Sequence, residues 1–178
     1  MKGIVFNLLE DSVTTAHGED VWDDMLDATG LDGAYTALGN YDDGELLALV
    51  GQVCSHQGLP ADEVLRAFGR RALPALALRY PEFFTPHESV KPFLLTLDHV
   101  IHREVAKIYP GAKPPRMSFE DPAEDVLVLH YSSQRRLCAF AEGMIEGAVA
   151  HYGQTVVLEH PRCMRDGAET CTIVATFG

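Results

Sequence analysis

The sequence predicts an α+β fold, an N-terminal lobe of amphipathic helices followed by a lobe of helices and a small antiparallel sheet. Three observations carry this. Apolar residues recur at three- and four-residue steps from the start of the chain to Tyr109. Beyond residue 125 the pattern becomes strict alternation, as in Val126, Val128 and His130 against Leu127, Leu129 and Tyr131. The proline-rich run PGAKPPR, a stiff loop, separates the two regimes.

The elements run in order along the chain. Ile4, Phe6, Leu8, Leu9 and Val13 place a helix over 2–16, and Val21–Ala28 makes a second, ended by Gly30. A loop through Gly39, Asn40, Asp42, Asp43 and Gly44 leads to a third helix over Leu46–Cys54, stopped near Gly58. Pro60 opens a fourth, with acids in its first turn, and Pro74 is expected to kink or break it. Ser89–Tyr109 reads as the longest amphipathic helix, with Val90, Phe93, Leu94, Leu97, Ile101, Val105 and Ile108 on one face. Strands are expected over 126–131, Thr155–Glu159 and Cys171–Phe177, with a helix from Arg136 to Tyr152 inserted and a turn at Asp166-Gly167.

A chain of 178 residues, 47% hydrophobic, fits a single domain with a substantial core. Its net charge of −12 repels a phosphate backbone, so no nucleic-acid partner is expected. No basic amphipathic run points to a membrane surface, and no apolar run approaches the roughly 18 residues needed to span a bilayer. The opening MKGIVFNLLEDS is too short for a signal peptide, which leads to a cytoplasmic expectation. Four cysteines there imply free thiols or a metal site rather than a disulfide framework. Nothing calls for a constitutive dimer, so a monomer is expected. Phosphate-binding glycine loops, His-Glu-x-x-His, Gly-x-Ser-x-Gly and Cys-x-x-Cys-His are all absent, and no enzymatic activity is expected.

Three constellations have chemical content. Tyr131, Ser133 and Arg135 share one face of an extended segment and present two hydroxyls and a guanidinium, a donor set for carboxylates. An ordinary solvated strand end has the same pattern. His102 borders the apolar face of its helix and His99 lies one turn earlier; spacing does not choose between them, and a hydrogen-bonded core histidine also satisfies the pattern. His160, Cys163 and Cys171 bracket a hairpin turn, and Cys138, in the first turn of the preceding helix, can complete a Cys3His tetrahedral zinc site; the set also fits three small buried hydrophobes and a surface histidine.

Taken together, MKGIVFN at the start, AFGR at 67–70, LDHVIHREVAKIYPGAKPPR at 97–116 and YSSQRRLCAFAEGMIEGA at 131–148 resemble the haem–nitric oxide/oxygen binding (H-NOX) family along the whole chain. The resemblance implies non-covalent haem b between a distal helical lobe, 1–60, and a haem-anchoring lobe, 61–178. It makes His102 the proximal iron ligand in place of His99. Tyr131, Ser133 and Arg135 become the propionate-binding set, and Pro115 the residue that presses on the porphyrin. It places Phe140 where oxygen-binding relatives carry a distal tyrosine, with Met144 one turn on and Val5, Leu9 and Leu78 as neighbours. It also raises zinc at Cys138, His160, Cys163 and Cys171, since some bacterial members bind it there.

The function this resemblance implies is that of a nitric oxide sensor that also binds carbon monoxide. In the family, nitric oxide commonly breaks the iron–histidine bond and the lobes shift. An apolar distal pocket withholds the hydrogen bond, worth about 1–3 kcal/mol, that polarised dioxygen needs, so no stable oxygen complex is expected. With no catalytic domain in the chain, the output is expected to be a separate partner, in bacterial relatives a histidine kinase or a diguanylate cyclase. The alternatives are a redox sensor using the zinc thiolates and a haem carrier.

Overall fold

A computed structural model describes residues 1–178. Four helices come first: α1 (Gly3–His17), α2 (Glu19–Thr29), α3 (Asp43–Gln57) and α4 (Ala61–Arg79). Two short helices come next, α5 (Val90–Leu95) and α6 (His102–Ile108). The sheet then begins with β1 (Arg116–Ala123) and β2 (Val126–Ser132). Helix α7 (Cys138–His151) is inserted before β3 (Val156–Arg162) and β4 (Cys171–Phe177). All strand pairs are antiparallel, in the order β1-β2-β4-β3. No helix is long and apolar enough to cross a membrane.

The expected α+β order is present, with three differences. The proline at 74 does not break α4, which runs unbroken from 61 to 79. Its i−4 carbonyl, on Arg70, abuts Gly147 of α7, and close packing of the two helices holds the turn. The segment 89–109 is not one helix. A wide π-turn over Leu97–Ile101 separates α5 from α6, with Thr96 Oγ1 donating back to the Phe93 carbonyl at 2.7 Å. The strand β1 is not among the expected elements: it is an edge strand whose alternation is limited to half-buried Met117 and Phe119, and its second half is exposed on both faces and carries Pro122.

Two apolar clusters organise the chain. The first packs Phe6, Leu9 and Val13 of α1 with Trp22, Met25, Leu46, Leu49 and the N-terminal half of α4, Val64 to Ala72. The second packs the C-terminal half of α4, from Leu73, with α5, α7 and the inner face of the sheet, Leu127, Leu129, Ile173 and Ala175. Helix α4 therefore belongs to both, and it lies against α7 at glycines. A Cβ on Gly143 would sit 2.0 Å from the Arg66 carbonyl oxygen, and one on Gly69 would sit 2.3 Å from that of Phe140.

Candidate functional site

Between the two clusters lies a cavity of about 330 Å³, 24 of whose 31 lining residues are hydrophobic. Val5 and Leu8 come from α1, Leu73 and Leu76 from α4, and Phe140, Ala141, Met144 and Ile145 from α7. Leu97 and Ile101 come from the π-turn, and His102, Val105 and Ile108 from α6. Apart from two prolines, the non-hydrophobic lining residues are Lys2, His102, Lys113, Ser133 and Arg135. In a protein of net charge −12, every charged side chain on this cavity is a cation. That selects an apolar ligand with anionic substituents.

His102 starts α6 directly after the π-turn, and its ring faces the cavity. Its Nδ1 is buried with no hydrogen-bond partner. Burial pushes its pKa down, and the weaker pull of Asp98 in the opposite direction does not restore it. The ring is neutral at physiological pH and has a lone pair for a metal. His99 is exposed and points away. The π-turn is pinned by Asp98, whose Oδ1 accepts the Met117 backbone N–H at 3.2 Å.

Tyr131, Ser133, Arg135 and Pro115 all line the same cavity. Tyr131 is the last inward residue of β2 and is buried. Burial pushes its phenol pKa up, so it is a hydroxyl donor. The strand ends in a tight turn at Arg136, the one non-glycine residue with positive φ, 51°. Arg135 is held by its own frame: Nη1 donates to the Lys113 carbonyl at 2.7 Å, and Nε lies 2.8 Å from Asp43 Oδ2. Asp43 also binds the terminal ammonium of Met1 at 2.6 Å. Burial works to raise the Asp43 pKa, but hydrogen bonds from Met1 and Arg135 outweigh it and hold the carboxyl below its ordinary value.

Two of the expected distal neighbours are not at the cavity. Leu78 is 87% exposed on the outer side of α4. Residues 73, 76 and 80 keep to the inward face at three- and four-residue steps, and position 78 is about 200° round the helix from Leu76. Leu9 is 2% exposed and packs into the N-terminal cluster with Phe6 and Val13, leaving Val5 and Leu8 to face the cavity. Val5, Phe140 and Met144 do line it. Phe140 packs on Phe68 at 4.9 Å between ring centroids. Nor is the lining wholly apolar. Tyr80 and Tyr109 hydrogen-bond each other through their hydroxyls at the cavity wall, and Lys2 lines it too. Burial and the bond to Tyr80 push Tyr109 up to about 12. Tyrosine in an apolar helical pattern reads as core, so these hydroxyls have no signal in the sequence.

The cysteine set converges outside this cavity. One ligand atom from each of Cys138, His160, Cys163 and Cys171 lies within 4.8 Å of every other. The Sγ atoms of Cys138 and Cys163 are 3.6 Å apart. Ligands about 2.3 Å from a tetrahedral centre stand about 3.7 Å from one another. Cys138 opens α7, while Cys163 comes just after β3 and Cys171 begins β4 directly opposite Tyr131. Tyr131 and Ala141 pack on the thiols and also line the cavity, so the two sites share a wall. Cys54 on α3 belongs to neither.

A family model described as haem-NO-binding matches residues 2–160. The crystal structure of an H-NOX protein from S. oneidensis in the Fe(II) ligation state superposes with a TM-score of 0.96 at 32% identity, covering 100% of this chain and 96% of that one. The same organism's H-NOX protein in the Fe(II)NO state gives 0.95 at 32% identity, covering 100% and 99%. The T. tengcongensis H-NOX structure gives 0.88 at 25%, covering 99% and 97%. A soluble guanylate cyclase of Caenorhabditis elegans, gcy-35, is 25% identical over a 175-position alignment that covers 89% of this chain. The chain spans about a quarter (24%) of that relative's length. With the model match covering most of its length, the chain belongs to the haem-NO-binding, or H-NOX, family of haem-based gas sensors.

Proposed function

We propose that the cavity holds haem b and that the protein is a nitric oxide sensor acting on a separate signalling partner. One observation carries this reading. The cavity is apolar, its charged lining is purely cationic, and it contains a neutral histidine whose Nδ1 has no partner. Those features fit a flat apolar macrocycle with two carboxylates and a metal centre. His102 would hold the iron. Tyr131, Ser133 and Arg135 take the propionates, with Arg135 held ready by Asp43 and the Lys113 carbonyl. Pro115 would border the bound group, and Val5, Phe140 and Met144 would keep water from the cavity. Bound haem iron supplies a coordination position for a diatomic gas.

Signal output rests on α4 and α7. Both border the cavity, and α4 belongs to both clusters, so displacement of a cavity wall reaches the N-terminal helices. Carbon monoxide is the second ligand of this reading. The relatives solved with NO and CO on Fe(II) support it. The partner is of the histidine kinase or diguanylate cyclase kind, and the chain acts as a cytoplasmic monomer. An anaerobic absorption spectrum of the ferrous protein before and after nitric oxide tests the core of this. A Soret band that moves on NO addition is expected; a colourless protein from haem-sufficient cells would sink it.

A second reading concerns the cysteines. Their spacing in three dimensions favours a Cys3His zinc site. Metal analysis of protein never exposed to chelator should return one zinc per chain.

A further inference from the structure

Glu142 is the one buried acid of the protein, 8% exposed, on a helix whose other buried positions are apolar, small or cysteine. A carboxylate taken out of water costs several kcal/mol unless it is paired and hydrogen-bonded. Glu142 is paired on both oxygens. Oε1 lies 2.5 Å from Nδ1 of His160, and Oε2 lies 3.0 Å from Nη1 of Arg66 on α4. A carboxylate beside a guanidinium only accepts hydrogen bonds, so Nδ1 of His160 is the protonated nitrogen of that ring. Nε2 is then left with its lone pair, and it is buried with no hydrogen-bond partner. The same ring contributes the nitrogen ligand atom of the Cys/His cluster.

We infer that Glu142 is a positioning residue for the metal site. It fixes the His160 ring and tautomer so that Nε2 presents its lone pair to a divalent cation held with the thiolates of Cys138, Cys163 and Cys171. This rests on the zinc reading above. Arg66 holds Glu142 in place from the far side, and it also binds Glu146 through Nε at 3.0 Å and Nη2 at 2.6 Å. Glu146 is a built-in control. It is a carboxylate on the same helix with the same arginine partner, and His160 bonds to Glu142 instead.

The test measures zinc affinity of the full-length, haem-loaded protein by competition with a chromophoric chelator, for wild type, Glu142→Ala, Glu142→Gln and Glu146→Gln. The haem absorption spectrum confirms that each variant is folded. Loss of a partner that orients a metal-bound histidine costs about 10–100-fold in affinity, and that loss is expected for Glu142→Ala. Glu142→Gln, whose amide oxygen still accepts from Nδ1–H, should recover part of it, and Glu146→Gln should bind as wild type. Cobalt(II) in place of zinc gives a second readout: its d–d bands should move in Glu142→Ala and stay fixed in Glu146→Gln. Wild-type affinity in both Glu142 variants, or an equal loss in Glu146→Gln, would overturn the assignment while leaving the metal site standing. Wild-type protein that takes up no zinc would overturn both.

Discussion

The cavity and the cysteine cluster share a wall but are built on opposite plans. The cavity draws residues from Met1 to Ile145, from both apolar clusters, and its charged lining is entirely cationic. The cluster is drawn from residues 138–171 alone, with an acid, Glu142, beside His160 and a cation, Arg165, beside Cys163. One is large, apolar and long-range in sequence; the other is small, polar and local. Helix α7 serves both, with Phe140, Ala141 and Met144 on the cavity and Cys138 and Glu142 at the cluster. The contrast implies a division of labour. A site assembled from two lobes registers their relative motion, whereas one closed by a hairpin and a helix start staples its own lobe.

That division predicts independence, and the largest effect should come from His102→Gly. Removing the only histidine on the cavity should abolish the normal ferrous spectrum and weaken haem retention at least about tenfold, a loss of about 1.4 kcal/mol or more. Free imidazole should restore part of the spectrum, and zinc content should not change. Loss of zinc in this variant would break the claim that the sites are separate. Next in size is Cys163→Ser, expected to drop zinc from one per chain to near none. The melting temperature should fall by several degrees, because metal-binding energy of a structural site is folding energy. The nitric oxide spectrum should survive; if it disappears, the shared wall at Tyr131 and Ala141 couples the sites more tightly than their separate construction implies.

The local cluster is the more legible of the two from sequence. Cys138, His160, Cys163 and Cys171 are few and chemically distinct, and the last three bracket one hairpin turn, so their spacing alone admits a metal site. His102 is harder. Periodicity places it at an apolar margin beside His99, and the π-turn over Leu97–Ile101 leaves His102 on the cavity and His99 in solvent. A local winding change of that kind has no strong signature in one sequence. The helix order and the inward face of β2 are readable because burial there is one-sided. Edge strand β1, the continuity of α4 through Pro74 and the true facing of Leu9 and Leu78 are not, because tertiary packing decides each of them. Tyr80, Tyr109 and Glu142 escape for a related reason: polar atoms on apolar helices become visible only when their partners are found.

The joint between the sites offers a prediction of intermediate size. In Gly143→Ala, the new methyl meets the Arg66 backbone carbonyl, which cannot swing aside as a side chain would. Overpacking of this kind costs about 1–3 kcal/mol. At roughly 2–4 °C per kcal/mol for a domain of this size, the melting temperature should fall by about 2–12 °C. Both haem retention and zinc affinity should weaken, unlike the single-site variants. An unchanged melting temperature would show that α4 and α7 slide apart without penalty.

A smaller effect is acid sensitivity of the haem-free protein. His102 is held below its ordinary pKa by burial, so between that depressed value and about 6.5 the unfolded chain binds a proton that the folded chain refuses. The contribution to stability is full above about pH 6.5 and declines as pH falls below it. Denaturant midpoints of haem-free protein at about pH 7.5 and about pH 5.5 measure this, and the difference should shrink in His102→Gly.

The smallest effect expected concerns oxygen. Phe140 presents no hydrogen-bond donor to the cavity, and Phe140→Tyr adds one hydroxyl there. A well-placed donor is worth about 1–3 kcal/mol, so oxygen affinity should rise by no more than about a hundredfold. The tyrosine must also displace the packing of Phe140 on Phe68, which pulls the gain toward the low end. Wild-type ferrous protein exposed to air should show no persistent oxy spectrum. The cavity wall already holds one rival to that expectation. In the Tyr80–Tyr109 pair one hydroxyl donates to the other, and the accepting hydroxyl keeps a proton of its own. If wild type does hold oxygen, Tyr80→Phe and Tyr109→Phe identify the donor, since only the variant that removes it abolishes the oxy spectrum. If neither changes it, oxygen is held without this pair, and Tyr131, the third tyrosine on the cavity, is the next hydroxyl to remove.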